Sequence, residues 1–241
     1  MGTLFNIFAV LAGGGLGMAF GSRLPERVRQ TVMNGLGLFT ITVGIQMTFK
    51  SQNALIVLGS VLVGGILGEW CGIDAGLKRV GAWLEARFAN GGAAEQDAKG
   101  GSRFIRGFVT ASLVFCVGPM TILGSIQDGL TGDYKLLALK SVLDGFASLA
   151  FASSLGIGVL FSAVTIGVIQ GSITLLAAQA QALLTEPMIA EMTAAGGVLI
   201  LGIGVGSLLE LKPIRVGSFL PALIVAPLIV AILHALGRTG F

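Results

Sequence analysis

The chain has 241 residues, 54% of them hydrophobic and only 11% charged, with a formal net charge of +3 and a mean hydropathy of +0.91. That balance excludes a water-soluble globular domain and points to an integral membrane protein. Thirty-eight glycines and few aromatics favour helices packed through small residues over a barrel with aromatic girdles, so the expected class is all-α, a polytopic transmembrane helical bundle. The pI near 9.1 does not signal nucleic acid as a partner, because the basic residues are scattered in short loops beside apolar runs.

The first apolar run begins at Gly2 without a positive n-region and ends at "MAFGSRLPERVRQ" without a small-residue cleavage site. It reads as a retained span, not a signal peptide. Further runs follow at about 32–49, 54–72, 105–124, 136–153, 156–183, 192–209 and 216–236, each near the length that crosses a hydrocarbon core. The expectation is about eight spans in a single membrane domain, 1–241. Residues 1–72 would supply the first three spans, 73–104 an amphipathic segment and linker, 105–155 a central broken-helix pair, and 156–241 the last three spans. Between the third and fourth runs, Leu77, Val80, Trp83, Leu84 and Phe88 recur at helical spacing among charges, as in a helix lying along the cytoplasmic membrane surface. The polar, Gly/Ala-rich "ANGGAAEQDAKGGS" after it reads as a flexible linker.

Positive charge sets the orientation. With eight spans and an outside amino terminus, Arg23, Arg27, Arg29, Lys78, Arg79, Arg87, Lys99, Arg103, Arg106, Lys212 and Arg215 fall on the cytoplasmic side. Only Lys50, Lys135 and Arg238 fall outside. Both termini then lie outside. "GTLFNIFAVLAGG" resembles "GVLFSAVTIGVIQG", and "GLFTITVGI" resembles "GVLILGIGV", which relates spans one to three to spans six to eight. In this topology the result is an inverted three-helix repeat, as in many secondary transporters.

The fourth span, "FCVGPMTILGSIQDGL", is broken at Gly118-Pro119, which frees backbone carbonyls that lipid cannot satisfy. The fifth carries Lys140, Ser141, Asp144 and Ser148 three and four residues apart, hence on one helical stripe. A charge there costs about 2.5 to 3.5 kcal/mol on insertion scales, so an intramembrane pair is either a local neutralisation or a functional site. Asp144 is the leading candidate ligand for an ion or solute, with Asp128 and Gln127 expected to face it across a water-accessible cavity. Asn6, Asn34 and Gln170 are further polar positions in spans whose default role is interhelical bonding. Gly156 and Gly158 in "SSLGIG" are expected to permit unusual backbone angles in a short turn that lines the cavity.

Gly13-x-x-x-Gly17, Gly64-x-x-x-Gly68 and Gly202-x-x-x-Gly206 mark close helix contacts, within one subunit or between copies in a homo-oligomer. Cys71 and Cys116 lack metal-ligand spacing, and no metal site, disulfide or cofactor is expected. Zinc-protease, nucleophile-elbow and phosphate-loop motifs are absent, which argues against an enzyme and against ATP-driven work.

Together "FCVGPMTILGSIQDGL", "LALKSVLDGFASLAFASSLGIGVLFSA", "IQGSITLLA" and "MTAAGGVLILGIGV", with the amino-terminal "GTLFN" and "MNGLGLFTITVGIQM", resemble the bacterial YqgA-like membrane proteins, domain of unknown function 554. The resemblance implies a multi-spanning protein of the bacterial inner membrane, in which both termini of the topology above would be periplasmic, and assigns no substrate or site residues. The functional expectation is a secondary transporter or channel for a small ion or solute, with the lipid bilayer as its setting. The alternative is a non-transporting scaffold or sensor that binds a protein partner through segment 77–88 and the glycine faces.

Overall fold

The computed structural model describes residues 1–21, 25–88 and 102–236, in which every regular element is helical. These are α1 (Gly2–Gly21), α2 (Glu26–Thr48), α3 (Ala54–Trp70), α4 (Ile73–Phe88), α5 (Arg103–Cys116), α6 (Pro119–Thr131), α7 (Lys135–Leu155), α8 (Ser162–Leu175), α9 (Ala177–Leu183), α10 (Glu186–Ile203) and α11 (Ala222–Ala235). A 3-10 turn, Gly156–Val159, joins α7 to the α8 region, and a π-helical turn, Gly204–Leu208, extends α10. Most of the expected linker, 89–101, lies outside the described residues.

Four segments are long and apolar enough to cross a bilayer: Gly2–Gly21, Lys135–Val159, Glu186–Leu208 and Val216–Ala235. Three bent pairs, α3 with α4, α5 with α6 and α8 with α9, raise the number to seven if each pair makes one span. By length and apolarity the expected eight is therefore not reached among the described residues. The missing element is α2, which has 23 residues but includes Arg27, Asn34, Thr42 and Gln46.

The helices gather into two compact units. The first comprises Met1–Leu36, Leu77–Cys116 and Met120–Ala178. Its centre is the seam between α1 and α7, where a Cβ on Gly13, Gly17 or Gly21 would come within 2.1, 2.2 and 2.4 Å of the carbonyl oxygens of Gly145, Leu149 and Ser153. Glycine alone permits backbones this close in lipid, and each substitution would have to push a backbone carbonyl aside. The partners advance four residues at a time in step with the glycines, so α1 and α7 run parallel. Opposite pairing places α8 antiparallel to α1, with Asn6 bonded to Gln170 and Gly14 against Leu160.

Also in this unit, the expected amphipathic helix forms as α4. Leu84 packs with Phe104 and Phe108, while Val80, Trp83 and Phe88 remain exposed. The two glycines of "SSLGIG" divide their roles: Gly156 has φ +76°, the left-handed region that disfavours a Cβ. Gly158 has no such angle and instead lies against Phe104, whose carbonyl oxygen a Cβ would meet at 2.1 Å.

The second unit comprises Gly37–Gly76, Val117–Pro119 and Gln179–Phe241. Its α2 portion packs antiparallel to α10, with Gly44 against Gly197 and Gly37 against Gly204. Helix α3 packs antiparallel to α11, with Gly64 against Ala222 and Gly68 against the Ser218 carbonyl, 1.8 Å from where a Cβ would stand. Gly202 and Gly206 pack on Val216 and Ile214. All three small-x-x-x-small pairs are thus engaged within the chain.

Candidate functional site

The break between α5 and α6 bends the chain by 62°. In an unbroken helix the Phe115 carbonyl would accept from the N–H of residue 119, but Pro119 has none. That carbonyl accepts instead from Lys140 Nζ on α7 at 2.8 Å and from Thr121 Oγ1 at 3.2 Å. The carbonyl released by proline thus becomes an anchor for a buried ammonium.

Lys140 makes its second contact one turn along α7, where Nζ donates to Asp144 Oδ2 in a tight i,i+4 ion pair. The two side chains are 8% and 12% exposed, so they are not screened as a surface pair would be. The pair sits in a wider polar chamber. Asn6 Nδ2 of α1 donates to Asp144 Oδ2 at 2.9 Å and to Gln170 Oε1 of α8 at 3.2 Å, and both amides are fully buried. Ser141 and Ser148, at i−3 and i+4 from Asp144, donate to the carbonyls of Leu137 and Val10. The Cys116 thiol at the end of α5 lies within electrostatic reach of both charges.

This network is incomplete. Asn6 Oδ1 and Gln170 Nε2 are buried without a hydrogen-bond partner, and both bonds to Asp144 fall on Oδ2, leaving Oδ1 without one. Each unmet buried group costs about 1 to 3 kcal/mol. A set of such groups around one carboxylate is the arrangement expected where an ion, water or solute completes the coordination.

Four candidate residues therefore meet directly, Asn6, Lys140, Asp144 and Gln170, with Ser141 and Ser148 on the same stripe of α7. Others lie elsewhere. Asp128 accepts from the Met1 amino group at 3.0 and 3.2 Å and from the Gly2 N–H at 3.0 Å, which makes it a cap on α1. Gln127 is exposed and turned to Asp133, 3.5 Å away, and Asn34 is exposed on α2. Gly118 and Pro119 lie at the break between α5 and α6, where Pro119 leaves the Phe115 carbonyl without a helical donor.

Sequence reasoning passed over Glu191. It is 2% exposed in the second unit, and it accepts from Ser51 Oγ at 2.7 Å and from the N–H groups of Gln52 and Asn53 at 2.7 and 3.0 Å. The available signal was an acid in the first turns of an otherwise apolar helix, which needs donors from elsewhere.

Over residues 1–231 the chain matches the family described as "Protein of unknown function (DUF554)". It is 30% identical over 240 residues to the "Uncharacterized membrane protein YdfK" of Bacillus subtilis (strain 168), covering 98% of each chain. It is 33% identical over 226 residues to the "Uncharacterized protein YqgA" of Escherichia coli (strain K12), covering 94% of each. No solved structure matches it. The chain belongs to the DUF554 family and is an all-helical membrane protein.

Proposed function

We propose that this DUF554 member is a secondary transporter or channel that moves a small ion or solute across the bacterial inner membrane, with Asp144 as the central ligand. The observation that carries the reading is the under-satisfied chamber around the buried Lys140–Asp144 pair. A pair kept only to neutralise its own helix has no need of two buried amides left with open bonding capacity. The chamber draws on α1, α7 and α8 together with the break after α5, and discontinuous helices around a central site recur in secondary transporters.

The packing lends support to the eight-span topology with both termini periplasmic. Parallel α1 and α7 must cross in the same direction, as spans one and five do when every segment crosses in turn. Within the first unit α1 runs antiparallel to α8, and within the second α2 and α3 run antiparallel to α10 and α11. These three antiparallel contacts join the helices that an inverted repeat would relate, which supports that reading. The chemistry proposed is non-enzymatic. The competing reading, a scaffold that docks a protein on α4, draws on the exposed Val80, Trp83 and Phe88.

Purified protein in liposomes, screened for fluxes of protons, alkali cations and small organic anions, separates the two. Transport requires a flux above that of empty liposomes that Asp144→Asn abolishes while the variant remains folded and inserted. Absence of any flux, or wild-type flux in the double variant Lys140→Met, Asp144→Asn, removes Asp144 from the role given to it.

A further inference from the structure

We propose, resting on that reading, that the solute of this site is a small uncharged molecule with a carboxamide or urea group, bound across the open edges of Asn6, Asp144 and Gln170.

The Lys140–Asp144 ion pair carries no net charge, and α1 and α8 add only the Asn6 and Gln170 amides to it. A cation or an anion entering this chamber would leave one uncompensated charge out of water, which is strongly unfavourable. A zwitterion adds no net charge, but it must shed the hydration of two ionised groups and finds its counter-charges already committed to each other. An uncharged solute meets neither cost.

The open hydrogen-bonding positions define the group. A carboxylate only accepts, which fixes the sense of both amides: Asn6 Nδ2 turns one hydrogen to Asp144 Oδ2 and the other to Gln170 Oε1. Asp144 Oδ1, Asn6 Oδ1 and Gln170 Nε2 are left open. Each is covalently paired, through one carbon, with an atom already in the chain of bonds, so the three lie within one small volume. Two acceptors and one amide donor are therefore unused together. A carboxamide is their complement, with two N–H donors and a carbonyl acceptor on neighbouring atoms, and urea presents the same edge. A simple alcohol has a single hydrogen and would leave one of the acceptors unmet. Both protein amides are fully buried and the ion pair nearly so, which limits the guest to a few heavy atoms. Lys140 keeps its bonds to Asp144 and to the Phe115 carbonyl throughout, so binding asks no change of partner from the ammonium.

The test adds uncharged probes to the liposome screen, with the full chain reconstituted and radiolabelled urea and acetamide supplied from outside. Saturable uptake above that of empty liposomes is expected, with each amide competing against the other, and it is lost in Asp144→Asn as the transport reading requires. Asn6→Ala removes one open acceptor and should raise the concentration for half-maximal uptake about tenfold. Gln170→Met removes the open donor at similar volume and should act in the same direction. A merely structural role for the two amides would lower the yield of folded, inserted protein and leave half-saturation unchanged, and that result in both variants overturns the site. Asp144-dependent flux of sodium, potassium or glutamate without uptake of urea or acetamide overturns the uncharged solute and leaves the transport reading standing. Osmotic water flow alone, read by stopped-flow light scattering, also overturns it and makes water the occupant of the open positions. Absence of every flux removes both readings.

Discussion

The two units each bury a carboxylate, and the two are handled in opposite ways. Glu191 in the second unit accepts from one hydroxyl and two backbone N–H groups at the start of α3, where the aligned peptide dipoles also favour negative charge. Its charge is met by backbone groups that need an acceptor whatever else happens. Asp144 in the first unit is met by the Lys140 side chain of its own helix and by an amide whose own oxygen has no partner. Asp128 belongs with Glu191, since it caps α1. Burial of an acid in a membrane helix therefore does not by itself mark function. What separates Asp144 is that it is met by side chains alone and that the amides beside it keep unfilled bonding capacity.

The sharpest way to break this contrast is to remove each charge with little change of shape. Asp144→Asn should bring liposome flux to the level of empty vesicles while the protein stays folded by size exclusion and thermal unfolding, because Lys140 retains the Phe115 carbonyl as an acceptor. Collapse of this variant would return the pair to structure. Glu191→Gln should do the reverse. Trading a charged acceptor for an amide that brings its own hydrogens into a donor-rich cap costs about 2 to 3 kcal/mol, read as a lower unfolding temperature, with flux per folded molecule unchanged.

A third experiment probes the seam that positions the site. A methyl group at Gly17 would stand 2.2 Å from the Leu149 carbonyl, so Gly17→Ala should destabilise by about 1 to 3 kcal/mol and, by shifting α1 along α7, weaken the Asn6–Asp144 contact. Flux and stability should fall together there. The smallest effect is expected at Gln127, exposed and outside the chamber. Gln127→Ala should change stability by no more than about 0.5 kcal/mol and leave flux at wild type. A flux defect at Gln127 would mean that the outer end of α6 takes part in the site after all.

The amino-acid sequence by itself determined the membrane class, the helical periods, the break at Gly118-Pro119 and the stripe Lys140-Ser141-Asp144-Ser148. Each of these is set by composition or by neighbours within about one helical turn, which is as far as local rules reach. The expectation that Asp128 and Gln127 face Asp144 rested on adjacency along the chain and did not foresee the amino terminus as the partner of Asp128, 127 residues away. Tertiary structure alone decided that Asn6 reaches Asp144 across 138 positions, that the Phe115 carbonyl is taken by Lys140, and that α7 lies parallel to α1. It also gave Glu191 its donors, 138 to 140 residues upstream. In lipid most helix surfaces are equally apolar, so a hydrophobic pattern cannot say which faces meet. That choice falls to glycine seams that fit and to buried polar groups that must find one another, and both are properties of the packed chain.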